Sequence, residues 1–124
     1  MKTLLIFLVL VVLLVGCSSA EAEFGFMSAQ DAYELITSGI DAIILDVRSE
    51  EEFLGGHIEG AVLLPVDEIK DRAESVLVDK DELILVICRS GNRSQTASQE
   101  LANLGFTNVY DIGGIMSWPG EIIQ

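Results

Sequence analysis

The sequence predicts an α/β fold, with a small parallel sheet of four or five strands and helices on both faces. Short apolar runs alternate with segments of helical periodicity along most of the 124 residues. The runs at 42–45 and 83–87 contain no polar residue, which is typical of strands that are buried on both faces. Strands that alternate with helices in this way form parallel sheets that those helices cover.

The first half of the predicted domain contains two helices and two strands. Ser28 is placed to cap the first helix, and Ser49 with Glu52 has the spacing of a capping box at the start of the second. In chain order, the predicted elements are a helix from Ser28 to Gly39, a strand at 42–45, a short helix from Ser49 to Gly55, and a strand at 61–64 that Pro65 closes.

The second half repeats the alternation. Ala97, Leu101 and Leu104 recur on one face of a helix, and Gly105 is placed to end it. In chain order, we predict a helix at 67–76, a strand at 83–87, a helix from Ser94 to Leu104, a strand at 109–110, and a turn with a short helix at 113–118.

The N-terminal segment has the pattern of an export signal. A lysine at position 2 precedes an unbroken apolar run from Leu4 to Val15, which is shorter than the roughly 20 residues of a transmembrane helix. The end of this run, Leu14-Val15-Gly16-Cys17, resembles the lipobox of bacterial lipoproteins. That resemblance implies cleavage before Cys17 and lipidation of its sulfur; the alternative is an ordinary secretory signal in which Cys17 is incidental.

These features divide the chain into a lipoprotein signal peptide at 1–16, a tether at 17–25 and one domain at 26–124. We expect an exported protein, anchored by lipid to the bacterial cell membrane or outer membrane. Two or three acyl chains are enough for stable anchoring. Lipidation of Cys17 would leave Cys88, the second of two cysteines, without a partner, which suggests a chemical role for its thiol.

Charge limits the class of ligand. A formal net charge of −13 repels nucleic acid, so no nucleic-acid partner is expected. The few cations are placed unevenly, since Arg48, Arg89 and Arg93 all lie near the ends of predicted strands. This local concentration of positive charge predicts a small anionic ligand.

The segment from Cys88 to Ser94 is the most informative in the chain. It places a thiol at the end of a buried strand, followed by a loop with two arginines and a glycine, and then by a helix. Open α/β folds bind ligands at this edge of the sheet. A helix N-terminus favours an anion and lowers the pKa of a thiol, so the pattern predicts a reactive thiolate in an anion cradle.

Four segments in register resemble the rhodanese-like family of sulfurtransferases and their relatives. They cover nearly the whole domain, from about Phe26 to Glu121. The segments are Leu45-Asp46-Val47-Arg48, then Glu52 to Ala61 with Pro65 beyond it, then Cys88 to Ser94, and finally Gly113-Gly114-Ile115-Met116-Ser117-Trp118.

The resemblance implies a rhodanese-like fold and a sulfurtransferase that needs no cofactor or metal. Cys88 would accept a sulfane sulfur from a donor such as thiosulfate, become a persulfide, and pass the sulfur to a thiol or cyanide acceptor. The substrate-binding residues would be those of the loop, with Arg89 and Arg93 holding the anionic donor and Ser94 capping the helix or bonding the sulfur; the full set is Arg89, Ser90, Gly91, Asn92, Arg93 and Ser94. Asp46 and Arg48 would support the neighbouring strand end.

Three other functions remain open. A lipid-anchored sulfur carrier or interaction module would share the site but turn over little, and a redox sensor would use the same exposed, reactive thiol. A phosphatase or arsenate reductase would also place a cysteine before an arginine, but with five intervening residues, whereas four separate Cys88 from Arg93. The single histidine, His57, is expected to be structural and not a catalytic base.

Overall fold

The computed structural model describes residues 22–124, so the predicted signal peptide and the lipidation site at Cys17 lie outside the described residues. Seven strands are present there: β1 (Gly25–Phe26), β2 (Ile43–Asp46), β3 (His57–Ile58), β4 (Val62–Leu63), β5 (Ile84–Cys88), β6 (Val109–Gly114) and β7 (Ile122–Ile123). Five of them form one parallel sheet in the order β1-β6-β5-β2-β4, and β3 pairs with β7 in a small antiparallel ribbon.

Four α-helices accompany the sheet: α1 (Ala29–Thr37), α2 (Glu50–Leu54), α3 (Ile69–Val76) and α4 (Asn92–Asn103). The predicted caps are confirmed, because the Ser28 hydroxyl accepts from the Asp31 N–H, and Ser49 and Glu52 form the capping box of α2. Short 3₁₀ turns at Val66–Glu68 and Ile115–Ser117 complete the helical elements. Within residues 22–124, none of the helices is both long enough and apolar enough to cross a membrane.

Helices cover both faces of the sheet, as predicted. On one face, α3 and α4 pack against β2, β5 and β6 through Ile69, Ala97 and Leu101, all of which are fully buried. On the other face, α1 and the turn at 115–117 pack against the sheet through Ala32 and Ile115. All five residues of β5 are buried, since this strand lies at the centre of the sheet and is covered on both sides.

The predicted start of the helix after Cys88 is wrong by two residues. Instead of beginning at Ser94, α4 begins at Asn92 with Gly91 as its N-cap residue. Gly91 has φ +107°, a conformation open to glycine because it lacks a Cβ. The chain therefore turns into the helix immediately after the strand, and Ser94 lies in the first helical turn.

The strand predicted at 109–110 is longer than expected. It pairs with β5 as far as Gly114, across an irregularity in register between Val86 and Ile87. Gly113 and Gly114 thus belong to β6, whereas the sequence pattern placed them in a turn. Asp111 lies inside the strand for the same reason. At the N-terminal end, Gly25, the last residue of the predicted tether, already pairs with Tyr110 as part of β1.

Candidate active site

Cys88 lies at the carboxyl end of the central strand. It is the last residue of β5, is 1 % exposed, and pairs in register with Gly114 of β6. Gly114 needs to be glycine here because a Cβ would collide with the carbonyl group of Arg89. The end of β6 therefore lies directly against the backbone of the loop that follows Cys88.

Backbone geometry directs a hydrogen-bond donor at the sulfur. The Gly91 N–H donates to Cys88 Sγ at 2.9 Å, and the sulfur lies at the N-terminal end of the twelve-residue helix α4, where the helix dipole favours negative charge. Burial opposes ionisation, but hydrogen bonding with the Ser94 side chain and hydrogen bonds from the backbone N–H groups of Ser94, Gly91 and Ser90 outweigh it. The pKa of the Cys88 thiol consequently lies below its ordinary value.

Ser94 connects the thiol to a buried carboxylate. Its hydroxyl oxygen lies 3.4 Å from Cys88 Sγ and 2.7 Å from Asp111 Oδ1, and it also lies 3.0 Å from the carbonyl oxygen of Gly91. Both Ser94 and Asp111 are buried. Of the two roles predicted for Ser94, the structure agrees with the contact to the sulfur; the N-cap residue of α4 is Gly91, and no side chain caps this helix.

Asp46 and Arg48 form a buried ion pair beside the site. Arg48 Nη2 donates to Asp46 Oδ2 at 2.7 Å, and Nε donates to Oδ1 at 2.9 Å. The same guanidinium donates to the Gly56 carbonyl at 2.8 Å. Because Asp46 ends β2 and Gly56 follows α2, Arg48 joins the end of β2 to the segment after α2, and β2 pairs with the strand that carries Cys88.

The two arginines of the loop after Cys88 have different environments. Arg93 makes a two-point ion pair with Glu52 of α2, at 2.6 Å from Nη1 to Oε1 and 2.9 Å from Nη2 to Oε2. Hydrogen bonding to Arg93 lowers the pKa of Glu52 to about 2, and hydrogen bonding to Glu52 raises the pKa of Arg93. Arg89 is exposed and has no ion-pair partner in the described part of the chain.

An open depression lies beside the loop that follows Cys88. Its volume is about 440 Å³. The lining combines charged groups with an apolar side, and consists of Arg48, Glu51, Glu52, Gly55, Gly56, Arg89, Ile115, Met116 and Ile122. Such a surface can admit a small anion at Arg89 together with an apolar substituent at Met116.

His57 is engaged by contacts with Phe53. Its Nδ1 donates to the Phe53 carbonyl at 2.8 Å, and its ring stacks on that of Phe53 at 3.9 Å with an interplanar angle of 11°. The expected structural role agrees with this placement. Among residues 22–124, no group of three or more His, Cys, Asp or Glu side chains could hold a metal ion.

The structure brings most of the predicted site residues together, and adds two that the sequence pattern did not single out. Ser90 and Asn92 are exposed on the loop and at the first position of α4. The additions are Asp111, which directly follows the strand predicted at 109–110, and Glu52, which was predicted as a capping residue and as the start of a family-like segment but not as a site residue. Glu52 is separated from Arg93 by 41 positions and Asp111 from Ser94 by 17, so no local motif could indicate either contact.

The arrangement agrees with the one expected from the sequence resemblance: β5 ends at a cysteine, a backbone amide of the following loop points at the sulfur, and a helix begins at once. The model of the rhodanese-like domain matches residues 28–121 of this chain. The chain belongs to the rhodanese-like family. This match runs from just before α1 to just before β7, and it includes four of the five strands of the parallel sheet.

Relatives in this family include named sulfurtransferases. The thiosulfate sulfurtransferase GlpE of Pseudomonas entomophila is 37 % identical over 108 residues, which cover 83 % of this chain and 95 % of the relative. The thiosulfate sulfurtransferase PspE of Escherichia coli is 34 % identical over 71 residues, covering 57 % of this chain and 68 % of the relative.

Solved rhodanese-like structures share the fold. The E. coli structure described as a rhodanese with anions has a TM-score of 0.64 and 28 % identity, covering 68 % of this chain and 99 % of that chain. The human single-domain sulfurtransferase TSTD1 has a TM-score of 0.65 and 27 % identity, covering 77 % of this chain and 96 % of that chain. The rhodanese-like fold and sulfurtransferase relatives thus agree with the cradle built around Cys88.

Proposed function

We propose that the protein is a sulfurtransferase that moves a sulfane sulfur from a donor such as thiosulfate to a thiophilic acceptor through a persulfide on Cys88. In the first half-reaction, the Cys88 thiolate attacks the outer sulfur of thiosulfate. The sulfur–sulfur bond of the donor breaks, and sulfite leaves with the bonding electron pair. In the second, a thiolate or cyanide attacks the sulfane sulfur and regenerates the Cys88 thiolate.

The observation that carries this proposal is the hydrogen bond from the Gly91 N–H to Cys88 Sγ at the N-terminus of α4. Only a thiolate is nucleophilic enough to attack a sulfur donor, so the site needs a means to stabilise negative charge on a buried sulfur. Preorganised amides supply that stabilisation without reorganisation during the reaction. The same donors suit the terminal sulfur of a persulfide, which also carries negative charge.

The exposed guanidinium of Arg89 is the group best placed to receive the donor anion. It lines the open depression, and it has no ion-pair partner in residues 22–124. A dianionic donor approaching a protein of net charge −13 experiences long-range repulsion, so local cations at the entrance matter for its binding. Arg93 contributes to donor binding once the donor replaces Glu52 as its partner.

One observation favours a second function, namely sulfur carriage with little turnover. Arg48 and Arg93 are both neutralised by carboxylates, at 2.7 and 2.6 Å. A site with one free cation binds a small dianion weakly, whereas a persulfide handed over by a protein partner needs no anion site. Anchoring at Cys17, which we also propose from the lipobox pattern, would present such a carrier to other enzymes at the membrane surface.

Mass spectrometry of the peptide that contains Cys88 tests the proposal. Incubation with thiosulfate should add about 32 Da to this peptide, and a subsequent thiol acceptor should remove it. The variant Cys88→Ala should show neither the mass gain nor turnover. It should remain folded, because the substitution removes only one buried atom, the sulfur.

The outcomes separate the candidate functions. Steady-state release of sulfite supports the enzyme, and a mass gain without turnover supports the carrier. Hydrolysis of a phosphate ester that is lost in Cys88→Ser would overturn both. Retention of turnover in Cys88→Ala would show that the nucleophile is a different group.

A further inference from the structure

The ion pair between Glu52 and Arg93 occupies the guanidinium that was expected to bind the donor. Both carboxylate oxygens of Glu52 are engaged, at 2.6 and 2.9 Å. The two side chains are 29 % and 35 % exposed, so water and small solutes can reach them. Glu52 also lines the open depression, next to Arg89.

We propose that Glu52 is a specificity-determining residue that competes with the anionic sulfur donor for Arg93. This inference rests on the proposed function. The guanidinium presents a planar pair of N–H groups that binds two oxygens of one anion. A thiosulfate or an organic thiosulfonate offers such a pair of oxygens on its sulfonyl group, and must displace the Glu52 carboxylate to use it.

The local structure permits this exchange. Glu52 Oε1 also accepts from the backbone N–H and the hydroxyl of Ser49, at 3.3 and 3.1 Å. The carboxylate therefore keeps hydrogen-bond partners within its own helix when Arg93 turns to a donor. Arg48 has no such freedom, because its guanidinium is buried and bound to both Asp46 and the Gly56 carbonyl.

Glu52 thereby disfavours oxyanion-bearing donors relative to donors without an oxyanion. A donor that lacks paired oxygens gains nothing from displacing the carboxylate, so its rate is independent of Glu52. The neighbouring Glu51 provides a matched comparison, since it lies on the same helix and lines the same depression, and makes no ion pair within residues 22–124.

Steady-state kinetics with thiosulfate test the competition directly. Glu52→Gln removes the charge and retains a capping-box residue. We expect the KM for thiosulfate to fall about fivefold in this variant, which corresponds to about 1 kcal/mol. Glu51→Gln should change the KM less than about twofold, because it alters only the long-range charge. The gain should disappear when Glu52→Gln is combined with Arg93→Ala.

Alkylation of Cys88 gives a readout that requires no sulfur transfer. Iodoacetate carries a carboxylate and iodoacetamide is its uncharged analogue, so the ratio of their rates at Cys88 reports anion recognition alone. Peptide mass spectrometry assigns each product to Cys88. Glu52→Gln should raise the ratio of iodoacetate to iodoacetamide rates, and Glu51→Gln should raise it much less.

Each result decides the proposal. An unchanged rate ratio and KM, or a higher KM in Glu52→Gln, would overturn the competition and show that Glu52 only positions Arg93. Equal effects of Glu52→Gln and Glu51→Gln would also overturn it, in favour of bulk charge. If the ratio responds as expected but thiosulfate gives no persulfide, the competition for Arg93 stands and the sulfurtransferase proposal fails.

Discussion

The hydroxyl of Ser94 donates to the buried carboxylate of Asp111, whose Oδ1 lies 2.7 Å away. This hydroxyl has a single proton, and the Cys88 sulfur lies on its other side at 3.4 Å. Asp111 therefore competes with the thiolate for the proton of Ser94 and adds a negative charge nearby. It limits how far the loop can lower the pKa of Cys88.

Substitution Asp111→Asn should lower the pKa of Cys88 further, because the neutral amide accepts from Ser94 more weakly than the carboxylate. The amide oxygen can still accept from the Gly113 N–H, as Asp111 Oδ1 does at 2.9 Å. The rate of alkylation by iodoacetamide, measured from pH 5 to 9, should show its inflection at a lower pH than in the native protein.

A matched control is Asp81→Asn, which changes an exposed carboxylate that accepts from Thr107. It should leave the inflection in place. An inflection that moves upward in Asp111→Asn would contradict the competition and indicate that Asp111 holds Ser94 in the orientation that serves the thiolate.

Gly91 is the position where a side chain should affect both stability and chemistry. Its φ of +107° is unfavourable for any residue with a Cβ, at a cost of about 1–2 kcal/mol. Gly91→Ala should lower the free energy of unfolding by about that amount. It should also slow alkylation of Cys88, since relaxation of the loop moves the amide that donates to the sulfur.

Gly39→Ala separates these two effects. Gly39 has a similar φ of +96°, and a Cβ there would meet no atom within 4 Å. Its substitution should cost similar stability in urea unfolding without any change in the alkylation rate. If both variants slowed alkylation equally, general loosening of the fold would be the cause.

The elements around the site were predictable because they depend on local pattern. The apolar run of β5, the cap at Ser28 and the capping box at Ser49 each depend on neighbours within a few residues, and all three are present. The tight turn at Gly91 was predictable for the same reason, because a positive φ is a local property of glycine.

The contacts that adjust the chemistry were not predictable from local pattern. The capping box of Glu52 depends only on Ser49 and forms wherever α2 is placed in the fold. The contact of Glu52 with Arg93 arises only when α2 packs beside the loop. Asp111 reaches Ser94 because β6 continues past the expected end of the strand. The backbone pairing that extends β6 is a property of the assembled sheet and not of the segment alone.

Removal of Arg48 should be among the most destabilising changes near the site. Its partner Asp46 is fully buried, and a buried carboxylate without its cation typically costs about 3–5 kcal/mol. Arg48→Ala should therefore lower the midpoint of urea unfolding strongly. Arg72→Ala removes an exposed partner of Glu68 one helical turn away, and should cost about 0.5 kcal/mol or less.

Two further variants check the cause of the loss in Arg48→Ala. If the unpaired charge is responsible, Asp46→Asn combined with Arg48→Ala should recover part of the stability. Equal effects of Arg48→Ala and Arg72→Ala would show that burial of the Asp46 pair contributes nothing.

The ion pair between Glu52 and Arg93 should make stability depend on pH in the acid range. The pKa of Glu52 in the folded protein is about 2, whereas the pKa of a glutamate in an unfolded chain is about 4.3. Because folding lowers this pKa, the stabilisation is fully present above the unfolded value and is lost as the pH falls towards about 2. Both side chains are about one-third exposed, so the contribution should be only about 1 kcal/mol.

Chemical unfolding of the native protein and Glu52→Gln at several pH values measures this dependence. At pH 7 the native protein should be more stable by about 1 kcal/mol, and the difference should shrink below about pH 5 until the two proteins coincide near pH 2. Glu68→Gln, which alters an exposed pair one helical turn apart, should change stability at pH 7 by less than about 0.5 kcal/mol. A difference that stays constant down to pH 2 would mean that Glu52 stabilises the fold through packing or capping, because those contributions do not require its charge.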